Sequence, residues 1–170
     1  MTSYQQLAGI GEPFESFVSR SLPAELDTVR SLQNALASPH AISTPTLQRI
    51  ERIPTRFHLL IAGEMWCPDC QINLTAIDYL QRIQPRISVA IISKSRAEHA
   101  LKQRLALERI SIPFVLVLDD AFEVVGRFVE RPHAVIAGGE TLEADYRAGK
   151  CLETTLQQLL DIMERSQPAS

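Results

Sequence analysis

Two cysteines separated by two residues, Cys67-Pro68-Asp69-Cys70, are the side chains of this sequence whose type and spacing point to chemistry. An apolar run, Phe57-His58-Leu59-Leu60-Ile61-Ala62, precedes them, and Ala76, Ile77, Leu80 and Ile83 follow at helical spacing. The pair therefore sits where a buried strand ends and a helix begins. At a helix N-terminus, unpaired N–H groups and the positive end of the dipole favour a thiolate over a thiol. Thiolate is the nucleophile of disulfide exchange. Cys70, one turn further on, is close enough to resolve a mixed disulfide, and a dithiol so placed in a βα unit reads as a redox motif. The same pair could be half of a zinc site, but zinc wants four ligands. Cys151, His58, His99 and His133 supply no second closely spaced pair, so no metal site is expected.

Composition narrows the field. The chain has 170 residues, 45% hydrophobic and 22% charged, with a net charge of −3. That length suits one domain with a small appendage, and the apolar content is ample for a core. The charge balance gives no reason to expect a nucleic-acid or anionic-membrane surface. No apolar run is long enough for a membrane span, and the first residues, Met1-Thr2-Ser3-Tyr4-Gln5-Gln6, lack the basic and apolar regions of a secretory signal. Three cysteines, two of them in one motif, do not make a secreted disulfide framework. The expectation is a soluble, cytoplasmic protein with no bound cofactor.

The elements that must position the dithiol follow from periodicity and punctuation. Residues 1–55 read as a helical extension without a strand pattern, packed on a main domain of 56–170. Within the extension, Pro13 to Ser19 suits a short helix, and Ser21 is the expected cap of a second one bearing Leu22, Leu26, Val29 and Leu36 on one face. Thr44-Pro45-Thr46 starts another. Strands are expected over Arg56–Ala62, Ile87–Ser93, Phe114–Leu118 and Phe122–Val129. The second, rich in Val and Ile, suits a central parallel strand. The last two, joined by Asp119-Asp120-Ala121, suit an antiparallel hairpin. Helices are expected from Pro68 to Gln84, after a Ser95 cap, and from near Cys151 with Leu152, Leu156, Leu159 and Met163 as its core face, while Gly138-Gly139 marks a loop. The order is β-α-β-α-β-β-α: an α/β fold with a central mixed four-stranded sheet flanked by helices, behind an added N-terminal helical segment.

Trp66-Cys67-Pro68-Asp69-Cys70, the Ile112-Pro113 pair ahead of the third strand, and the terminal helix together resemble the thioredoxin family over about residues 55–166. Arg131-Pro132 and Tyr146-Arg147-Ala148-Gly149-Lys150 are similar to a bacterial thioredoxin-like subgroup with a helical N-terminal extension. The resemblance implies a thioredoxin-like fold in which Cys67 attacks, Cys70 resolves, and Pro113 is cis and faces the dithiol. It also implies that Ile112 backbone groups pair with an extended substrate and that Trp66 offers an apolar platform. Two departures stand out. Thioredoxins carry a buried aspartate six residues before the first cysteine; here that residue is Ile61, leaving Glu64 as the nearest candidate proton acceptor. Between the cysteines stands Pro68-Asp69, whose carboxylate opposes a thiolate at Cys67. Pro68, Asp69, Glu64 and Arg131 are thus expected to tune the site. The expected activity is a thiol–disulfide oxidoreductase acting on disulfide-bearing proteins or small thiols, recharged by a reductase or a glutathione system. A thioredoxin-fold adaptor without turnover and a glutaredoxin-like, glutathione-linked reductase are the alternatives.

Overall fold

The computed structural model describes residues 1–168. Four helices precede the first strand: α1 (Tyr4–Ile10), α2 (Phe14–Val18), α3 (Pro23–Ala37) and α4 (Thr44–Glu51). Each start has a local cause. At α1, Ser3 and Gln6 form a reciprocal capping box. Proline precedes or opens the other three, where its missing N–H costs nothing. The cap of α3 is Leu22 rather than Ser21. Glu25 accepts a hydrogen bond from the Leu22 N–H, and the buried face of the helix is Val29, Leu32 and Leu36, with Leu22 left in water.

The rest of the chain runs β1 (Phe57–Gly63), α5 (Pro68–Ile83), β2 (Ile87–Ser93), α6 (Lys94–Leu105), β3 (Phe114–Leu118), β4 (Val124–Val129), α7 (His133–Ala137), α8 (Gly139–Arg147) and α9 (Leu152–Arg165). The sheet has the order β2-β1-β3-β4, with β1 parallel to β2 and β3 antiparallel to both β1 and β4. It is the mixed four-stranded sheet flanked by helices that the element order implied. Four details differ. Strand β2 is parallel but lies at an edge, so it is less buried than β1 or β3. Phe122 belongs to the turn, at φ +62, and β4 begins two residues later. Helix α6 starts after Ser93 rather than at Ser95. Gly138-Gly139 is a junction between two helices, with Gly139 at φ +70 turning the chain from α7 into α8.

Alternate residues of β1 point to opposite faces, as the strand pleat requires. Leu59 and Ile61 join a cluster with α5 and α9, while Leu60 and Ala62 join a second one with Leu7 of α1 and Leu101 of α6. The N-terminal helices belong to these same clusters: Phe14, Phe17, Val29 and Ile50 pack into the one that holds Cys70 and Leu156. The extension also touches the sheet directly. Glu12 and Ile91 exchange two backbone hydrogen bonds of 2.8 Å, an isolated antiparallel bridge on β2 that the helical reading of residues 1–55 did not anticipate. Gly11 makes this approach possible, since a Cβ there would lie 2.6 Å from that of Ala90.

Candidate active site

Strand β1 ends at Gly63, and Glu64-Met65-Trp66 leads into α5. Cys67 is the residue just before the first helical turn, and Pro68 opens that turn with φ already suited to it. The loop is fixed from within: Gln71 Nε2 donates to Met65 O at 2.7 Å, and Cys67 N donates to Glu64 O at 3.2 Å. Met65 is buried and Trp66 is 66% exposed beside the motif. All three cysteines of the chain are free thiols. Cys67 and Cys70 stand 3.8 Å apart. Their environments push them in opposite directions. The contact with Cys70, helped by the backbone N–H groups of Cys70 and Asp69, holds the Cys67 thiol down at about 6. That same contact, together with full burial, pushes Cys70 up. One thiol is therefore ready to lose its proton while its neighbour keeps one to donate.

The Ile112–Pro113 peptide is cis, and Ile112 O lies 3.9 Å from Cys67 Sγ. This segment is tied back to the sheet and to α5. Glu130 N donates to Pro113 O at 2.9 Å, and Glu130, at φ +64, turns its own carbonyl toward Asn73 Nδ2 at 2.9 Å. Asn73 lies one turn after Asp69 and is fully buried. Its Nδ2 is also 2.9 Å from Asp69 O and 2.8 Å from the Tyr146 hydroxyl, so two hydrogens serve three acceptors, while its Oδ1 accepts from Thr155 at 2.7 Å.

Asp69, the carboxylate between the cysteines, is not free. Tyr146 OH donates to Asp69 Oδ1 at 2.7 Å, and Arg131 Nη2 lies 3.3 Å from Oδ2. Arg131 also reaches Glu143 at 3.2 Å and stands over the Tyr146 ring at 5.6 Å. Burial and the bond to Asp69 push the Tyr146 hydroxyl up, so it stays protonated and donates. The like-charge push of Asp69 on Cys67 is the smallest of the influences on that thiol. Arg131 is the sequence candidate that the structure joins to the motif. Glu130, which like Arg131 follows the last strand, belongs to the same network; Tyr146, Asn73 and Thr155 complete it and carried no individual sequence signal, since the bonds that join them to it span 57 to 82 positions.

Residues 11–143 match the family model described as Thioredoxin. The chain belongs to the thioredoxin family. Among solved structures, it is similar to a protein of unknown function from Pseudomonas aeruginosa, determined by crystallography, at 51% identity and a TM-score of 0.95, over 98% of this chain and 100% of that one. It is also similar to an HIV epitope-scaffold at 50% identity and a TM-score of 0.92, over 98% and 100% of the two chains. No curated protein matches the chain.

Within this thioredoxin-family site, Ile61 is 1% exposed and shares one apolar cluster with Cys70, so the carboxylate that thioredoxins carry there is replaced by hydrocarbon. Glu64 does not take its place. Its backbone N–H faces Cys70 Sγ at 3.5 Å, but its carboxylate turns to the other side and accepts from Lys94 N at 3.0 Å, at the start of α6. The expectation that Glu64 serves as proton acceptor gives way to a structural reason: the open N–H of Lys94, the first residue of α6, claims its Oε1. Cys151 is buried just before α9, where desolvation pushes its thiol up. Among the described residues, no group of three or more His, Cys, Asp or Glu is placed to hold a metal ion, and no helix is long and apolar enough to cross a membrane.

Proposed function

We propose that this chain is a thiol–disulfide oxidoreductase in which Cys67 attacks, Cys70 resolves, and disulfides on proteins or small thiols are reduced. The observation that carries this reading is the asymmetry of the dithiol: Cys67 held at about 6 at the head of α5, with the raised thiol of Cys70 buried behind it. At pH 7 such a Cys67 is ~90% thiolate. Its sulfur attacks one sulfur of the substrate disulfide, forming a mixed disulfide and expelling the other sulfur as a thiolate that takes a proton from water. Cys70 then gives up its proton and attacks Cys67 Sγ. The second substrate sulfur leaves as a thiol, and the chain is left with a Cys67–Cys70 disulfide. Two electrons have passed to the substrate, and a dithiol reductase or two glutathione thiols return them. Trp66 and the Ile112 carbonyl would hold the substrate beside Cys67, and a reducing cytoplasm suits the cycle.

Reduction of insulin disulfides with dithiothreitol as donor tests the reading. Cys67→Ser should abolish the chain's contribution, and Cys70→Ser should accumulate a covalent mixed disulfide that the wild type clears. Full turnover by Cys67→Ser would overturn the role of Cys67, and a wild type without turnover would favour an adaptor.

A further inference from the structure

The N-terminal extension reaches the loop that leads into the dithiol. The corner between α2 and α3 faces Met65 and Trp66 across a groove of about 330 Å3. Phe17 and Met65, both buried, form its base, and its apolar walls are Leu22, 67% exposed, and Trp66, 66% exposed. Leu22 stands immediately before α3, a position that favours Ser, Thr, Asn or Asp, so the helix itself gives no reason for a leucine. The charged residues that line the groove are already engaged. Arg20 donates to Glu12 at 2.7 Å, and that contact holds the Glu12 carboxyl down at about 2, so the pair stays ionised. Glu25 accepts from Leu22 N at 2.9 Å and Glu64 from Lys94 N at 3.0 Å. The groove thus offers apolar surface against Met65 and Trp66, the two residues before Cys67, with its one cation, Arg20, already committed.

We propose that this groove seats an apolar side chain of a polypeptide, adjacent to the cysteine whose disulfide Cys67 attacks. This deepens the oxidoreductase reading and rests on it, naming proteins rather than glutathione as the substrate class. Glutathione carries two carboxylates and an ammonium group, and would need a free cation that the groove does not provide. The extension is then a specificity element: Leu22 and Trp66 close on a side chain from opposite walls, and the chain flanking the substrate cysteine supplies it.

The test uses the full chain and two peptides that each carry one cysteine as a mixed disulfide with the same aryl thiol. The residue beside the cysteine is leucine in one and glycine in the other, and oxidised glutathione is a third substrate. The wild type should favour the leucine peptide by about tenfold in kcat/KM, the scale of discrimination that an apolar pocket achieves. Leu22→Asp should reduce that preference to about twofold or less. Aspartate suits the position before α3, and retained thermal unfolding confirms the fold. Leu22→Ala, which only truncates the wall, should give an intermediate preference. Equal rates for the two peptides in the wild type, an undiminished preference in folded Leu22→Asp, or faster reduction of oxidised glutathione than of either peptide would overturn the proposal while leaving the oxidoreductase reading standing. If the wild type reduces none of the three, the oxidoreductase reading itself falls.

Discussion

Replacing Arg131 with methionine should raise the Cys67 thiol by about one pH unit. Arg131 lies against Asp69 Oδ2 at 3.3 Å, and both side chains are mostly shielded from water, at 20% and 17% exposure. With the guanidinium gone, the Asp69 carboxylate keeps only the Tyr146 hydroxyl, and its field reaches Cys67 uncompensated. A neighbouring charge moves a titrating group by roughly one to three units, and an influence relayed through Asp69 belongs at the lower end. A rise from about 6 to ~7 lowers the thiolate fraction at pH 6 from ~50% to ~10%, and at pH 7 from ~90% to ~50%. Intrinsic nucleophilicity moves the other way: one unit of added basicity makes the thiolate about threefold faster. The alkylation profile of Cys67 should therefore shift its midpoint upward and reach a higher plateau, so the two curves cross. Asp69→Asn should shift the midpoint down, and the double variant should return it close to that of the wild type. Iodoacetamide labelling between pH 4 and pH 9, read at Cys67 by mass mapping, measures all three. Superimposable curves for Arg131→Met and wild type, or an upward shift in Asp69→Asn, would refute the reasoning.

Glu64→Ala should cost about 1 kcal/mol of stability, as loss of a helix cap does, and leave the resolving step unchanged. Thermal unfolding and single-turnover release of product separate the two effects, and slowed release would restore Glu64 as a proton acceptor. Asn73→Ala should cost about 2–4 kcal/mol, because Thr155, Glu130 and Tyr146 each lose a buried partner. Denaturant unfolding checks that, and a loss under ~1 kcal/mol would mean that water replaces the amide. Ile61→Asp should speed release of the mixed disulfide by supplying a base beside Cys70, while lowering the unfolding temperature through a buried carboxylate. An unchanged release rate in the folded variant would show that the missing carboxylate does not limit resolution.

The dithiol, the strands around it and α5 are legible in the sequence because their determinants are local. An apolar run, a proline at a helix start and a 3.6-residue period lie within a few positions of one another. Helix α1 has such a local signal too, in the Ser3–Gln6 capping box. Elsewhere local signals misled. Ser21 looks like a cap, but its hydroxyl is buried without a partner and the helix opens one residue later. Gly138-Gly139 has the composition of a loop, yet the pair only turns one helix into the next. The surroundings of Asp69 were legible in part. Arg131 could be suspected from its place after the last strand. Tyr146 and Asn73 could be assigned no role, because a hydrogen bond across 77 or 73 positions exists only once helices α5 and α8 have docked. Glu64 shows the reverse problem: proximity in sequence to Cys70 suggests a proton acceptor, and only the folded chain reveals that the start of α6 has a claim on its carboxylate, through Oε1.

The bridge between Glu12 and Ile91 bears on how the margin of this sheet is protected. An uncovered edge strand offers a template on which a second chain can zip. Strand β2 is such an edge, and it is parallel and apolar at Ile91 and Ile92. Glu12 occupies the donor and acceptor of Ile91, and Gly11 seats the chain against Ala90 so closely that no neighbouring strand can slide past. A charged residue and a glycine thus stand guard at the margin of the sheet. Chains clipped after residue 12 would lose that guard along with the α1 packing. Their characteristic failure would be edge-to-edge self-association, at the same end of the sheet from which β1 leads into the dithiol.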